Sequence, residues 1–350
     1  MKSAKLLSLL VAVPLVLMAG CGSKDTGTAK NSENAGNVPA SKVVKIGITQ
    51  IVEHPSLNAT REGFIAALKD AGYEDKKNVQ IDYQNAQGDS TNNLTIAQKF
   101  AADKKDLVLA IATPSAQAVA QNVKDTPVVF AAITDPVGAK LVKSLDKPGA
   151  NITGAADTHP EAAAKLTDFI ASEFPKVKTV GIIANEGEPN AAVMLKNAET
   201  LLAKHNIKVV KAAVANSSEV KQAAESLVGR VDAFYITLDN TVVSAVESII
   251  KVANDKKIPF FSSDRDTVEK GAVATYGFKY YDHGYQAGKM AVEILKNGAK
   301  PADMKVSFPD KLDLIINQDA AKAQGVEITD SMKSKMQDKN NLLTGTTTKK

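Results

Sequence analysis

The stretch Leu107-Val-Leu-Ala-Ile-Ala-Thr-Pro-Ser-Ala-Gln117 predicts a buried strand that turns directly into a helix, which is the repeating unit of an α/β fold. The apolar run at 107–111 is short and continuous, which is typical of a parallel strand covered on both faces. Pro114 suits the first turn of the helix that Ser115 continues, since no N–H partner is needed at that position. The free N–H groups of such a turn can bind an anion. An ordinary strand–helix connection is the alternative interpretation.

The same plan occurs twice along the chain. In the first half, strands and helices alternate from Val43 to a strand that ends in Thr134-Asp135. In the second half they alternate again from Val177 to strands that end in Asp239-Asn240 and in Asp264. Two consecutive βαβαβαβ runs predict an α/β fold with two doubly wound parallel-sheet lobes.

The end of the chain predicts how the two lobes are joined. The elements after Asp264 are too few for a third domain, so the chain is expected to return to the first lobe and cross again to the second. The predicted crossings form a three-strand hinge and lie at 151–159, 275–278 and 309–313. The first lobe is expected to comprise 43–154 and 278–309, the second 155–275 and 313–335, and the polar tail 336–350.

The composition excludes several classes of function. The 350 residues are 44% apolar and 23% charged, and the net charge of +4 is too small for a nucleic-acid binder. Cys21 is the single cysteine, so neither a disulfide framework nor a cysteine-based metal site is expected. The sequence has no nucleotide-binding glycine motif and no nucleophile elbow, and Glu186 and Glu188 are interpreted as surface acids. The chain is therefore expected to use no cofactor or metal.

Residues 1–20 have the features of a secretory signal, because Lys2 and Lys5 precede an apolar run that is too short to span a membrane. The run ends in Met18-Ala-Gly-Cys21, which resembles the lipidation signal of bacterial lipoproteins. A secretory peptide with a chance cysteine is the alternative. Residues 21–42 predict a lipidated cysteine followed by a flexible, polar tether. The folded part would then be held at the extracytoplasmic face of the cell membrane.

Polar residues at the strand ends of the two lobes are expected to face one cleft, since ligands bind beyond the carboxyl ends of parallel strands. The first lobe offers neutral donors that suit a carboxylate, namely Thr113, Ser115, Ala116 and Thr134. The second lobe offers acceptors that suit an ammonium group, namely Asp239, Asn240 and Asp264. A zwitterion such as an α-amino acid would bridge the two lobes and close the cleft. Helix capping is the alternative role for Asp239, and also for Asp135 on the carboxylate side.

Further candidate ligand residues lie at the rim of the cleft. Glu53 and His54 follow the first strand in a polar loop, which favours a binding role over a core role for this histidine. Tyr276 and Phe278 lie at the second predicted crossing. They are expected to pack against an apolar side chain of the ligand.

These motifs resemble those of ABC-importer substrate-binding lipoproteins of the TrpX-like branch, which binds aromatic amino acids. The residues that carry the resemblance are Ile51-Val-Glu-His-Pro-Ser-Leu57, Thr113-Pro-Ser-Ala-Gln117, Thr134-Asp-Pro136, Leu238-Asp-Asn240, Ser263-Asp264, Ala274-Thr-Tyr-Gly277 and Tyr280-Tyr281. The resemblance implies a periplasmic-binding-protein type I fold, a permease and an ATPase as partners, and no catalysis. It implies Trp, Tyr or Phe as the ligand and delivery of that ligand to the permease. A monomer is expected.

Other functions remain as alternatives at this point. The same fold could bind a sugar, a nucleoside or an aliphatic amino acid, although the chain has no Trp and only 17 Phe and Tyr residues for stacking on a sugar. A transcriptional regulator with the same lobes would need a DNA-binding segment where this chain has a signal and a tether. A hydrolase is disfavoured because no nucleophile–base pair is evident.

Overall fold

The structure of the protein, a computed structural model, describes residues 43–345. The predicted signal peptide, Cys21 and the tether lie outside the described residues. Between residues 43 and 345 the chain forms two sheets, each with helices on both faces, as the alternating pattern predicted. No helix in this range has the length and apolar character needed to cross a bilayer.

The first lobe is built on a parallel sheet of five strands in the order β2-β1-β3-β4-β5. These strands are β1 Val44–Gln50, β2 Val79–Asn85, β3 Leu107–Ile111, β4 Val128–Ile133 and β5 Ile152–Ala156. Its helices are α1 Pro55–Asp70, α2 Ser90–Ala102, α3 Thr113–Asn122 and, from late in the chain, α10 Tyr280–Asn297. The apolar strand β3 is buried along its whole length, because helices cover both faces of the sheet.

The second lobe is built on seven strands in the order β12-β11-β10-β9-β8-β6-β7. These strands are β6 Thr179–Ala184, β7 Lys208–Ala213, β8 Ala233–Ile236, β9 Phe260–Ser262, β10 Ala274–Gly277, β11 Asp313–Asn317 and β12 Leu342–Leu343. Its helices are α4 Ala162–Glu173, α5 Pro189–Lys204, α6 Val220–Leu227, α7 Asn240–Ser244, α8 Val246–Lys256, α9 Arg265–Lys270, α11 Gln318–Ala323 and α12 Asp330–Ser334. Separate apolar clusters fill its two faces.

Three crossings join the lobes near the predicted positions. β5 pairs with β4 in the first lobe, and α4 after it packs in the second. β10 belongs to the second sheet, whereas α10 after it packs on α1 of the first lobe. The chain then forms a bridge from Ser307 to Ala155 in the first lobe before it enters β11.

The structure differs from the sequence prediction in three details. β11 pairs antiparallel with β10, because it enters the second lobe from the hinge while β10 runs towards the hinge. The sequence after Asp239 predicts one continuous helix at 241–253, whereas the structure interrupts it at Ala245, between α7 and α8. The expected polar tail is also incorrect within the described residues, since Leu342–Leu343 pairs with β11 as an edge strand.

Helix α1 is held against the first lobe by close packing with α10. A Cβ atom at Gly63 would collide with the backbone of Tyr281, and one at Gly284 would collide with the backbone of Thr60. Only glycine allows the two helices to approach so closely. This packing fixes the N-terminus of α1, which lies at the cleft between the lobes.

Candidate functional site

A small cavity lies between the lobes, at the carboxyl ends of the strands. Its volume is about 20 Å³, which is room for about one water molecule. The first lobe contributes His54, Ser56, Leu57, Ala132 and Thr134 to its lining, the crossings contribute Asp157 and Tyr280, and the second lobe contributes Asn190, Leu238, Asp239, Asn240, Val243 and Asp264. The cavity therefore has walls from both lobes and from the hinge.

The N-terminus of α1 forms one wall of this cavity. Pro55 starts the helix, and His54 before it is extended and makes no side-chain capping bond. The first-turn N–H groups of Ser56 and Leu57 have no carbonyl partner within the helix, and both residues line the cavity. No acidic residue occupies the first turn of α1. The positive end of a long helix thus points at the cavity, which favours an anionic group there.

Asp264 meets this helix end from the opposite lobe. Its Oδ1 accepts a hydrogen bond of 3.0 Å from Ser56 Oγ across the cleft. The same carboxylate accepts bonds from Ser262 Oγ at 2.9 Å and from the Thr267 backbone N–H at 2.8 Å, so it also caps α9. Asp264 is therefore both a helix cap and a polar contact between the lobes.

A second polar contact across the cleft joins His54 to Asn240. Nε2 of His54 lies 3.4 Å from Oδ1 of Asn240, and Nδ1 of His54 has no partner among the described residues. Burial lowers the pKa of His54, against the opposing charges of Asp264 and Glu188. The imidazole is therefore neutral at neutral pH, so no lining residue of the described cavity carries a positive charge.

Asp157 supplies an uncompensated carboxylate at the hinge. It is 6% exposed, and its Oδ2 accepts a bond of 3.1 Å from the hydroxyl of Tyr280. Its Oδ1 has no hydrogen-bond partner among the described residues. Burial raises the pKa of Asp157 to about 6, against the opposing hydrogen bond from Tyr280. A buried carboxylate with one free oxygen is an acceptor for a cationic donor.

The end of β8 carries a network that shapes the second lobe. Asp239 accepts the backbone N–H groups of Val242 at 3.0 Å and Asn185 at 2.6 Å, which makes it the N-cap of α7. Burial and the neighbouring charge of Glu188 raise the pKa of Asp239 to about 7. The capping alternative for Asp239 is thus what the structure shows, although the residue also lines the cavity.

Glu188 is not the surface acid that the sequence predicted. It is 7% exposed, and its Oε1 accepts the backbone N–H and the hydroxyl of Thr241 at 2.8 and 2.6 Å. Its Oε2 accepts Nδ2 of Asn240 at 2.6 Å. Glu188 therefore holds the start of α7 and orients Asn240 towards His54. Glu186 is exposed and lies 3.5 Å from Lys211, as expected of a surface acid.

The predicted anion site at the start of α3 has a different geometry. The helix starts at Thr113 rather than Ser115, so the Ala116 N–H already donates to the Ala112 carbonyl at 3.0 Å. Ser115 is fully buried, and its hydroxyl donates to Oδ1 of Asn93 at 3.2 Å. The Thr113 hydroxyl is buried without a partner among the described residues. None of Thr113, Ser115 and Ala116 lines the cavity in this closed arrangement.

Three other predicted residues also lie outside this cavity. Glu53 is exposed, accepts the Tyr83 hydroxyl at 3.1 Å and lies 3.8 Å from Arg61. Asp135 accepts the Gly138 N–H at 2.8 Å and so stabilises a turn. Tyr276 lines a neighbouring cavity, described below. His54, Thr134, Asp239, Asn240 and Asp264 are the predicted residues that the structure brings together.

Sequence reasoning missed several residues of the cavity. Asp157 lies directly after β5, but the sequence analysis assigns residues 151–159 to a crossing, so the strand-end rule does not reach it. Tyr280 starts α10, just after the second crossing. Ser56 lies two residues after His54 within a stretch quoted for the resemblance, and its place in the first turn of a helix is the available signal. The local sequence does not indicate that Glu188 is buried, because its burial depends on packing between distant segments.

Strained backbone marks the same edge of the first lobe. Ala112 has φ 74° and Ala132 has φ 57°, which alanine rarely adopts. The N–H of Ala132 donates to Nε2 of the buried His283 at 3.0 Å, and burial lowers the pKa of that histidine to about 4. His283 is thus a neutral acceptor that holds Ala132 at the cavity wall. Strain of this kind is concentrated at ligand sites.

A second cavity of about 120 Å³ lies on the hinge side of the first. It runs between α4, α5 and the second crossing, and its apolar lining includes Leu166, Met194, Tyr276 and Phe278. Asp157 and Leu238 line both cavities, which are therefore adjacent. Within residues 43–345 no group of three or more His, Cys, Asp or Glu side chains is placed to hold a metal ion.

Comparisons with known proteins agree with this geometry. The family model described as ABC transporter substrate binding protein matches residues 45–339. The chain is 42% identical over 324 residues to a tyrosine-binding protein of Clostridioides difficile strain R20291, with 92% of each chain covered. A crystal structure of the ABC domain from Streptococcus pneumonia in complex with L-Trp is 35% identical, with a TM-score of 0.79 over 84% of this chain and 98% of that one.

A third relative shows how the lobes are arranged here. The ligand-free, open structure of a substrate-binding protein with adhesive properties from Clostridium difficile is 44% identical, over 82% of this chain and 96% of that one. Its TM-score is only 0.61, although its sequence is more similar than that of the L-Trp complex. The present lobe arrangement is thus nearer to the complex than to the open structure. The matches confirm the resemblance in the sequence: the chain belongs to the ABC transporter substrate-binding protein family.

Proposed function

We propose that the protein captures a free aromatic α-amino acid between its lobes and delivers it to the permease of an ABC importer. The observation that carries the proposal is the buried carboxylate of Asp157, whose free Oδ1 faces a cavity without a positive charge. An α-ammonium group compensates that charge, together with Asp264. The ligand carboxylate then binds the first-turn N–H groups of Ser56 and Leu57 at the start of α1.

Binding requires that the lobes separate and close again, because the present cavity is too small for the backbone of an amino acid. The contacts of Ser56 with Asp264 and of His54 with Asn240 form as the cleft closes. A ligand that contacts both lobes favours the closed arrangement by its differential affinity for it. The tyrosine-binding relative and the L-Trp complex support an aromatic amino acid as the ligand.

The test is titration calorimetry of the mature protein against the twenty amino acids, with ribose and adenosine included. We expect binding of Trp, Tyr or Phe and none of ribose or adenosine. Binding of only a sugar or a nucleoside would show that the amino-acid proposal is wrong. Light scattering of the same samples checks the expected monomer.

The family acts outside the cytoplasm, and we propose that this chain is held there by a lipid on Cys21. The sequence Met18-Ala-Gly-Cys21 after an apolar run supports this attachment. Cells that express the wild-type chain should carry it in the membrane fraction and incorporate labelled palmitate. Cys21→Ser should abolish the label and release the chain from membranes. Equal membrane retention of both forms would contradict the proposal.

A further inference from the structure

We propose that the hinge-side cavity is the subsite for the aromatic ring of the ligand, and that Ala163 on α4 sets its depth. The proposal rests on the proposed function, since it takes an α-amino acid as the ligand. It adds where the side chain lies and which residue limits the size of the ring.

The size of the hinge-side cavity fits a ring. Its volume is about 120 Å³, whereas an engineered apolar cavity of about 150 Å³ is known to bind benzene. The polar cavity beside it, at about 20 Å³, has no room for a ring. A modest separation of the lobes therefore suffices to admit an aromatic side chain on the hinge side.

The position of the hinge-side cavity fits the proposed binding of the backbone atoms. Asp157 and Leu238 line both cavities, so the two share a wall. An amino acid whose ammonium group binds Asp157 therefore has its α-carbon at the boundary between them. Its side chain reaches the hinge-side cavity directly, without passing through another part of the protein.

The apolar part of the hinge-side lining is preorganised for a ring, beside the polar side chains of Thr158, His159, Asn197 and Ser263. Tyr276 packs edge-on against Phe169, with ring centroids 6.4 Å apart and planes at 77°. Phe278 packs on Tyr280 at 4.9 Å, and Tyr280 donates to Asp157. The ring subsite and the ammonium subsite are thus connected through two packed aromatic rings. Met194 on α5 adds a flexible apolar surface to the lining.

Ala163 offers a direct way to fill this cavity. It lines the cavity from the first turn of α4, whereas its neighbour Ala164 is also half-buried but does not line it. Ala163→Leu adds apolar volume to the cavity, and Ala164→Leu adds the same volume elsewhere on the same helix. Both substitutions replace alanine with leucine, which is also a good helix former.

The experiment measures the affinity of wild type, Ala163→Leu and Ala164→Leu for L-Phe, L-Tyr and L-Trp by calorimetry. We expect Ala163→Leu to lower the affinity for each aromatic ligand that wild type binds by at least tenfold, with the largest loss for L-Trp. The affinities of Ala164→Leu for the same ligands should stay within twofold of the wild-type values. Met194→Ala, which enlarges the cavity from α5, should raise the ratio of L-Trp to L-Phe affinity. Met194→Ala also tests the ring subsite if Ala163→Leu fails to fold.

The ring itself can be observed, because the chain contains no tryptophan. Emission from bound L-Trp then reports only the surroundings of the ligand ring, and we expect a blue shift on binding. If wild type binds no amino acid, the proposed function fails. A different outcome would overturn only the ring subsite. Aromatic ligands would bind, but L-Trp emission would be unshifted and Ala163→Leu and Met194→Ala would have wild-type affinities. The assignment of the ring to the hinge-side cavity would then be wrong, while the proposed function would stand.

Discussion

Ser56 on α1 and Asp264 before α9 are joined by a hydrogen bond of 3.0 Å that crosses the cleft between the lobes. Each residue is also part of its own lobe, since Ser56 lies in the first turn of α1 and Asp264 caps α9. The contact therefore links the starts of two helices across the cleft. The Ser56 hydroxyl bonds to Asp264, the proposed partner of the ligand ammonium, while the backbone N–H of Ser56 is the proposed donor to the ligand carboxylate.

Removal of the Ser56 hydroxyl should favour the open arrangement. A hydrogen bond to a charged group contributes about 1.5–3 kcal/mol, so Ser56→Ala should weaken amino-acid binding by about tenfold or more. Small-angle scattering of the ligand-free variant should show a larger radius of gyration than wild type. Ser226→Ala is the control, because that exposed hydroxyl bonds only within its own helical region. An unchanged radius and affinity in Ser56→Ala would show that the contact does not stabilise closure.

Loss of the Asp264 charge should lower the affinity for the ligand rather than the stability of the fold. Asn caps a helix about as well as Asp, so Asp264→Asn retains the cap of α9 but no longer pairs with an ammonium group. We expect affinity to fall by about 10- to 150-fold, or about 1.4–3 kcal/mol, as measured by calorimetry. Asp89→Asn, at the N-cap of α2 and outside the cavity, should bind as wild type does. Equal losses in both variants would indicate a general effect on folding.

The strand-end rule explains which site residues could be predicted from the sequence. His54, Thr134, Asp239, Asn240 and Asp264 follow strands β1, β4, β8 and β9, and parallel strands bring such residues to one edge. The strand order is also the same in both lobes, β2-β1-β3-β4-β5 and β7-β6-β8-β9-β10, as the repeated pattern predicted.

The remaining site residues depend on features that a single sequence does not display. Asp157 and Tyr280 meet because the first and second crossings run side by side at the hinge. Glu188 is buried because α7 turns back over it, although its local sequence is that of an exposed turn. The proline that indicates the start of α3 is Pro114, whereas the helix starts one residue earlier, at Thr113. That small shift supplied the Ala116 N–H with a partner.

The pH dependence of stability should follow the buried carboxyl groups. Burial raises the pKa of Asp157 to about 6 and that of Asp239 to about 7. In the folded state these carboxyl groups therefore keep protons that they lose at about pH 3.9 in the unfolded chain. The stabilising contribution of these groups is complete below that value and is lost as pH rises through about 6–7. The melting temperature of the ligand-free wild-type protein should therefore decrease as the pH rises from about 5 to 8, and it should decrease more than that of Asp157→Asn.

The affinity for an amino acid should change with pH in the opposite direction. An ammonium group favours the ionised form of Asp157, so binding should release protons and become tighter from about pH 5 to 8. Calorimetry in buffers of different ionisation enthalpy measures that release. Tyr280→Phe removes the hydrogen bond that lowers the pKa of Asp157, so the rise in affinity should move to higher pH. An affinity that is independent of pH in this range would argue against an ionised Asp157 as the ammonium partner.

Glu188 should stabilise the second lobe far more than Glu186, although the two lie two residues apart. Glu188→Gln places an amide N–H₂ against the donors of Asn240 or Thr241, which leaves buried groups unpaired at a cost of about 1–3 kcal/mol. The melting temperature should fall by about 3–10 °C in calorimetric scans. Glu186→Gln loses only an exposed contact with Lys211 and should change stability by less than about 0.5 kcal/mol. Because Glu188 orients Asn240 towards His54, its variant should also bind amino acids more weakly, whereas equal melting temperatures for both variants would contradict a structural role for this acid.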